Sequence, residues 1–265
     1  IYNEPANAFV ADFIGESNIY SATMIKKKLV RFIGANFKCV DDFPVNEKVD
    51  VVVRPEDVIL GKPGKGTVDG KITTKIFKGV HYQYLIKVGK NEVEVRTTLD
   101  FPLNDEVSLK VEPANIHIMP KIYGSNIYYD SWINKHNQVV IGEDAFDCDI
   151  TKLLPGSYID EEGFVISKDG KHKYDFNDAD VVAEIELADV KISDDPENGN
   201  ASGTIISSIW KGDHYQVIVR TEIEEDYVLD TPYQYNEGDF VSISVDANKI
   251  NLRLKGELSK YEKLD

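Results

Sequence analysis

Residues 71–83, KITTKIFKGVHYQ, return 133 positions later as residues 204–216, TIISSIWKGDHYQ. A second block, VSLKVEPANIHI at 107–118, returns 134 positions later as VSISVDANKINL at 241–252. Two separated matches in the same order and at nearly the same offset indicate that the chain holds two copies of one unit. We therefore predict two domains, one over 1–119 and one over 120–265.

The second copy is longer than the first. The tetrapeptide SNIY occurs at 17–20 and again at 125–128, an offset of only 108, so about 24 residues have been added after it. We place this insertion near residues 134–157, a stretch that includes the acidic segment GEDAFDCD at 142–149.

Both copies have the sequence pattern of β-strands. Apolar and polar residues alternate in short segments such as 116–118 and 241–245, as they do in strands with one buried face. Turn signals such as Gly89-Lys90-Asn91 separate these segments, which are rich in Val, Ile, Tyr and Thr. The pattern predicts that each copy is an antiparallel β sandwich or a small barrel.

One short helix is predicted at the start, over about residues 3–14. Its apolar residues follow helical spacing, Asn3 can cap it, and Pro5 and Gly15 suit its first turn and its end. The apolar positions are Ala6, Phe9, Val10, Phe13 and Ile14.

The charge of the chain bears on which partners it can bind. The 265 residues include 30 basic and 46 acidic side chains, a net charge of −16, and residues 1–119 hold 16 of each sign, so the excess is in the second copy. Its acidic face is either a solvated surface or a site for a cationic ligand. Nucleic acid is disfavoured as a partner because no basic groove is indicated.

The ends and the cysteines add two expectations. The chain begins with Ile and lacks a signal pattern and a long apolar run, so we expect a piece of a longer protein that neither spans a membrane nor is secreted. Cys39 and Cys148 are far apart in sequence, which suits a reducing compartment and provides no metal-binding spacing.

No catalytic or metal motif is present in the sequence. The segment GKPGKGT at 61–67 lacks the spacing of a phosphate-binding loop, and no nucleophile elbow or HExxH pair occurs. His81 and His214 occupy equivalent places in the two copies, which favours a structural turn over a ligand. We predict no catalytic residue, no metal and no enzymatic activity.

Two segments carry a family resemblance. Residues 1–19, IYNEPANAFVADFIGESNI, and residues 53–58, VRPEDV, closely resemble the ATP-binding subunits of ABC importers of the spermidine/putrescine type. In that family the first segment leads from the ATPase domain into a transport-associated OB (TOBE) domain, and R-P-E is the internal hallmark. The family pattern falls on Pro5, Asn7, Phe9, Val10, Phe13, Ile14, Gly15, Asn18, Arg54, Pro55 and Glu56.

The resemblance implies an all-β fold of two tandem OB/TOBE-like antiparallel β-barrel units with a short N-terminal helix. It implies a non-catalytic, C-terminal regulatory and dimerisation region of a polyamine importer's ATP-binding subunit. The expected partners are a second ATPase subunit and the membrane permease subunits at the cytoplasmic face. ATP and Mg²⁺ are expected to bind a preceding domain that these residues do not include.

Several alternatives stay open. The transported substrate could be a sugar or iron, and Arg54, Pro55 and Glu56 could either lock a barrel corner or contact another subunit. In the second copy Glu186, Leu187 and Ala188 replace this motif. The module could also bind a polyamine or another small ligand directly, through spaced carboxylates and tyrosines. The candidates for that role are Tyr227, Asp230, Tyr233, Tyr235, Glu237 and Asp239.

Overall fold

The computed structural model describes residues 17–121 and 123–263, and these form β-strands joined by loops and short 3-10 turns. The predicted helix near 3–14 lies outside the described residues, as do Asn7, Phe9 and Phe13. The chain divides into two compact units. Unit 1 comprises the chain up to residue 122 together with residues 209–215, and unit 2 comprises residues 123–208 and 216–265.

The first ten strands belong to unit 1. They are β1 (Asn18–Lys26), β2 (Leu29–Phe32), β3 (Ala35–Lys38), β4 (Lys48–Val53), β5 (Val58–Gly61), β6 (Val68–Phe77), β7 (Tyr82–Val88), β8 (Asn91–Thr97), β9 (Glu106–Val111) and β10 (His117–Pro120). Two 3-10 turns, Pro55–Asp57 and Pro113–Asn115, separate β4 from β5 and β9 from β10.

The second copy supplies the later strands. They are β11 (Ser125–Ile133), β12 (Gln138–Ile141), β13 (Asp144–Asp147), β14 (Tyr158–Ile159), β15 (Val165–Ile166), β16 (Lys173–Tyr174), β17 (Asp180–Glu186), β18 (Val190–Ser193), β19 (Ala201–Trp210), β20 (Tyr215–Arg220), β21 (Asp226–Thr231), β22 (Phe240–Val245) and β23 (Ile250–Leu254). Their 3-10 turns are Ile150–Leu153, Leu187–Asp189, Ala247–Lys249 and Leu258–Tyr261.

The two units have one topology. Unit 1 holds the sheets β10-β4-β1-β2-β3 and β5-β9-β6-β7-β8, and unit 2 is built on β23-β17-β11-β12-β13 and β18-β22-β19-β20-β21. Each strand of the first unit therefore has a counterpart in the same sheet position of the second. The predicted fold class, all-β with two tandem OB-like units, is confirmed.

The core of unit 1 lies between its two sheets. Met24 and Val51 come from one sheet and Ile72, Tyr84 and Leu109 from the other, and all five are buried in one cluster. Alternation explains most strands, because every second side chain of a strand points to the same face. In β8, for example, Val93 and Val95 are buried in this core.

Strand β4 departs from alternation because both of its faces are covered. Its last five residues, 49–53, are all buried. Val49, Val51 and Val53 face the main core, whereas Val52 packs in a second cluster with Ile19, Met119 and Ile209. A strand covered on both faces has a continuous apolar run, and here the one polar member of that run is Asp50.

The added residues of the second copy lie further along the chain than the sequence comparison places them. The range 134–157 contains β12 and β13, which are the counterparts of β2 and β3. The residues without a counterpart fall between the end of β13 at 147 and the start of β17 at 180, and they include the small sheet β14-β15-β16. The two copies do share residues at these strands, Ile33-Gly34 with Ile141-Gly142 at an offset of 108 and Phe37 and Cys39 with Phe146 and Cys148 at 109, so the added residues begin after them.

No helix among the described residues is both long enough and apolar enough to cross a bilayer.

Candidate interaction site

The R-P-E motif forms the corner at which the chain leaves one sheet of unit 1 and enters the other. Arg54 is extended, with φ −74° and ψ 143°, and Pro55 begins the 3-10 turn that ends at Asp57. Proline suits this place because its φ is fixed and its missing N–H has no partner to lose. Pro55 is buried and Glu56 is exposed, so the motif has one structural member and one carboxylate that faces solvent.

The corner does not depend on the letters of the motif. In unit 2 the same turn forms at Leu187–Asp189, with Glu186 in the place of Arg54. A second turn braces it in both copies: Asn115 Nδ2 donates to Asp57 Oδ1 at 3.2 Å, and Lys249 Nζ lies 3.0 Å from Asp189 Oδ1. The corner therefore forms with a base or an acid at its first position and with glutamate or alanine at its third.

Asn18, another residue of the family pattern, joins the two sheets of unit 1. Its Nδ2 donates to the carbonyl of Glu94 at 2.8 Å and its Oδ1 accepts from the N–H of the same residue at 2.8 Å. Nearby, the hydroxyl of Tyr20 donates to the carbonyl of Glu92 at 2.9 Å. Burial raises the pKa of Tyr20 far above its ordinary value, so this hydroxyl stays protonated and able to donate.

Residues 209–215 of the second copy are part of unit 1. Ile209 lies in the cluster with Ile19, Val52 and Met119. Next to it, Lys211 Nζ lies 2.8 Å from Asp50 Oδ2, and both side chains are buried, with 0% and 5% of their surface exposed. A buried ion pair of this kind is strongly destabilised when either member is removed, because the other charge is left without compensation.

The turn that follows Lys211 is held by a backbone hydrogen bond at Gly212 and by the carboxylate of Asp213. The N–H of Glu92 donates to the carbonyl of Gly212 at 2.9 Å. Asp213 pairs with Lys90 and lies 2.6 Å from His214 Nδ1. Burial by itself would raise the pKa of Asp213, but the hydrogen bonds from Lys90 and His214 outweigh it and lower that pKa.

Gly212 is required at this turn for two reasons. Its φ of +90° lies in the left-handed region that residues with a Cβ avoid, and a Cβ placed there would lie 2.2 Å from Tyr20 Cδ1. The equivalent Gly79 has a φ of +87° but open space around it.

A cavity of about 120 Å³ lies beside this turn within unit 1. Its lining includes Trp210 and the two acids Glu92 and Glu94. Arg96 Nη2 lies 2.8 Å from Glu94 Oε1, so one of the two carboxylates is already balanced. Burial raises the pKa of Glu94. The remaining lining residues are Ser17, Asn18, Ile19, Tyr20 and Leu85.

The proposed polyamine-binding residues do not form one surface. Tyr227 is wholly buried, with its ring 5.3 Å from that of Tyr128 and 5.8 Å from that of Phe146, so it is a core residue and cannot face a ligand. The sequence of β21 does not show which face of the strand Tyr227 occupies, because tyrosine is found both in protein cores and on surfaces. The other five occupy the end of β21 and the loop to β22, where Tyr233, Glu237 and Asp239 are exposed and Asp230 and Tyr235 are half-buried.

Within residues 17–121 and 123–263, no three His, Cys, Asp or Glu side chains are grouped as a metal site. Cys39 and Cys148 are free thiols. Burial raises the pKa of Cys148 to about 11, which keeps it in its less reactive form at neutral pH.

Sequence reasoning missed the ion pair of Lys211 and Asp50, although one signal could have found half of it. Asp50 interrupts the apolar run VDVVV at 49–53, and an acid inside a run that is buried on both faces needs a cationic partner. Lys78 and Lys211 occupy equivalent positions in the two copies, so the sequence does not say which lysine is that partner.

Comparison with known proteins gives one family over most of the chain. Residues 51–119 match the family model of the TOBE domain. The spermidine/putrescine import ATP-binding protein PotA of Bacteroides thetaiotaomicron is 36% identical over 254 residues, which cover 95% of this chain and 50% of that protein. The protein of the same name from Bacteroides fragilis is 34% identical over 255 residues, with the same two coverages.

Other relatives match a shorter stretch. The protein of the same name from Acetivibrio thermocellus is 49% identical over 123 residues, 46% of this chain and 35% of that protein. A solved structure of the cytoplasmic molybdate-binding protein ModG covers 39% of this chain and 96% of its own, at 14% identity and a TM-score of 0.34, a likeness too small to bear on a ligand. The chain spans about half the length of the two Bacteroides relatives.

Three findings agree with one another. Residues 51–119 match the TOBE domain, the two OB-like units share one topology, and the similarity to the Bacteroides proteins extends through both copies. The chain belongs with the C-terminal, TOBE-containing portion of spermidine/putrescine import ATP-binding proteins.

Proposed function

We propose that this chain is the non-catalytic regulatory and dimerisation region of a polyamine importer's ATP-binding subunit. The observation that carries the proposal is the identity of 36% over 254 residues to a spermidine/putrescine import ATP-binding protein, because it extends through both copies of the β unit. The second candidate substrate class is a sugar or iron, and the names of the relatives favour the polyamine.

The proposed mechanism is a bias on a two-state equilibrium. ATP and Mg²⁺ bind the part of the subunit that these residues do not include, and the β units contact a second ATPase subunit and the permease at the cytoplasmic face of the membrane. Such contacts regulate only if they differ between the open and closed states of the ATPase dimer. Arg54 and Glu56 flank a corner that forms without them, which supports a contact role for both.

The test is a chimera. The matching segment of the Bacteroides thetaiotaomicron relative is replaced by this chain, and the relative without that segment is the control. We expect the chimera to hydrolyse ATP and import spermidine under control by the permease, and the control to hydrolyse ATP without that dependence. If the chimera folds and hydrolyses ATP but imports sugar or iron and not spermidine, the proposed substrate class changes from a polyamine to a sugar or iron. Equal regulation in both proteins would refute the regulatory function.

A direct role in binding polyamine is a second proposal. It is supported by the acidic excess of the second copy and by the exposed Tyr233, Glu237 and Asp239 on one loop. Calorimetric titration with spermidine at physiological salt should give saturable heat that is lost in a Tyr233→Ser, Glu237→Gln double variant. Glu161→Gln, an exposed acid in the added segment, is the matched control. Absence of both heat and a thermal shift would exclude this role.

A further inference from the structure

The two copies carry the same hairpin tip. We call residues 76–81 the first tip and residues 209–214 the second tip. Their sequences, IFKGVH and IWKGDH, differ at two of six positions. In the first tip the N–H of Lys78 donates to the carbonyl of His81 at 2.9 Å, and in the second the N–H of Lys211 donates to the carbonyl of His214 at 2.7 Å.

The side chains of the tips are arranged alike as well. An aromatic pair crosses the strands at the base of each tip, with ring centroids 5.0 Å apart for Phe77 and Tyr82 and 4.7 Å apart for Trp210 and Tyr215. Each tip therefore has the same turn, the same aromatic base, one isoleucine and one lysine.

Only the second tip is buried. Ile209 is 6% exposed in its aliphatic cluster, and Lys211 is paired with Asp50. In the first tip Ile76 is 45% exposed, Phe77 60% and Val80 80%. Three large apolar side chains are thus exposed within one six-residue tip, and a concentration of exposed apolar side chains marks an interaction surface.

We propose that the first tip is a docking element for another protein, whose surface offers a carboxylate set among aliphatic side chains. That chemistry is read from the surface that holds the second tip, where Asp50 lies beside Ile19, Val52 and Met119. Ile76 would enter the aliphatic patch and Lys78 would pair with the carboxylate. The proposal goes beyond the regulatory function and stands without it.

A second copy of this chain does not present a free surface of this kind. In unit 1 the surface is occupied by that unit's own second tip. The corresponding strands of unit 2 carry Val182, Glu184 and Arg253 where unit 1 has Asp50, Val52 and Met119. The acid is missing and two of the aliphatic positions are charged, so the partner is a different protein.

The first test asks whether the sequence of the first tip can dock at all. The double variant Trp210→Phe, Asp213→Val gives the second tip the sequence of the first. We expect the variant to stay folded with Lys211 paired, so that a further Lys211→Met lowers its unfolding midpoint as far as Lys211→Met lowers that of the unaltered chain. An unaffected midpoint would show that the first-tip sequence does not dock, and would overturn the proposal.

The second test asks whether the first tip docks between molecules. The probe is a full chain with Lys211→Glu to expel its second tip from the surface around Asp50, and Lys78→Glu to disable its own first tip. We expect the unaltered chain to bind this probe in sedimentation velocity, a Lys78→Glu chain to bind at least tenfold more weakly, and a Lys87→Glu chain to bind as the unaltered one does.

Lys87 is exposed on β7 outside the tip, so its substitution controls for the change in charge. Ile209→Asp replaces Lys211→Glu in the probe if circular dichroism shows that the first version is unfolded. Absence of binding to a folded probe, or equal binding by the Lys78→Glu chain, would overturn the proposal.

Discussion

Asn18 holds Glu94 by both polar atoms of its side-chain amide, with two hydrogen bonds of 2.8 Å to the backbone N–H and carbonyl. In unit 2 Asn126 holds Val228 with the same two bonds at the same length. The tyrosine two residues later repeats as well, because Tyr128 donates to the carbonyl of Asp226 at 3.0 Å. The duplication has therefore preserved the bonds that tie one sheet of a unit to the other, and not only the order of strands.

Asn18→Ala should destabilise the chain by about 1–3 kcal/mol, because it leaves a half-buried N–H and a half-buried carbonyl of β8 without partners. Urea unfolding followed by circular dichroism measures this loss. The matched control is Asn36→Ala, an exposed asparagine on β3, which should change the free energy of unfolding by less than about 0.5 kcal/mol. Equal effects at the two positions would contradict the role assigned to Asn18.

Lys211→Met should cost about 3–5 kcal/mol, since the Asp50 carboxylate is then buried without its cation. The double variant Lys211→Met, Asp50→Leu should recover most of that loss, because two apolar side chains of similar size fill the same space. A double-mutant cycle on urea unfolding gives the coupling energy of the pair. Additive effects of the two substitutions would show that the two groups do not interact.

Gly212→Ala and Gly79→Ala form a matched pair, since both glycines have φ near +90°. At Gly79 the alanine methyl meets open space, so only the backbone conformation resists it and the cost should be about 1 kcal/mol. At Gly212 the methyl would also press on the Tyr20 ring, which should add about 1–3 kcal/mol. Equal unfolding free energies in the two variants would mean that residue 212 is not packed against Tyr20.

His172 should make the stability of the chain depend on pH. The hydrogen bond to Glu262 raises the pKa of His172 above its ordinary 6.5, so the folded chain holds this proton more tightly than the unfolded chain does. The stabilisation is fully present below pH 6.5 and is lost as pH rises through the raised pKa. His172→Gln should thus lower the melting temperature at about pH 5.5 and have little effect at about pH 9.

His136→Gln is the control for this pH series, because His136 is an exposed histidine of unit 2 that lies in the loop before β12. A loss of the same size at both pH values in His172→Gln would assign the effect to packing and not to the proton.

The repeat and the alternation of apolar residues were enough to predict the fold class. They succeed because side-chain direction in a strand follows its sequence position, as at Val93 and Val95 in β8. They fail where the environment of a residue is set by residues far from it in the sequence. Tyr227 fits an aromatic ligand wall as well as a core, and only the packing of Tyr128 and Phe146 against it decides for the core.

The sequence also predicts only part of the candidate site. Asn18, Arg54, Pro55 and Glu56 could be chosen from sequence because a family pattern marks them. Lys78 and Lys211 lie in nearly identical segments, yet one is exposed and the other is buried on a carboxylate. Locally the tips differ only by Phe77 in place of Trp210 and Val80 in place of Asp213, and the ion pair itself forms with Asp50, 161 positions before Lys211 in the chain.

The position of residues 209–215 also fixes when the first half of the chain can finish folding. Because synthesis runs from the N-terminus, strands β1, β4 and β10 leave the ribosome well before Ile209 and Lys211 exist to cover them. For that interval an aliphatic patch and an acid stand open on a nascent sheet, a state in which chains are prone to aggregate. Unit 1 is therefore complete only after residues 123–208 of unit 2 have been synthesised and residues 209–215 have followed them.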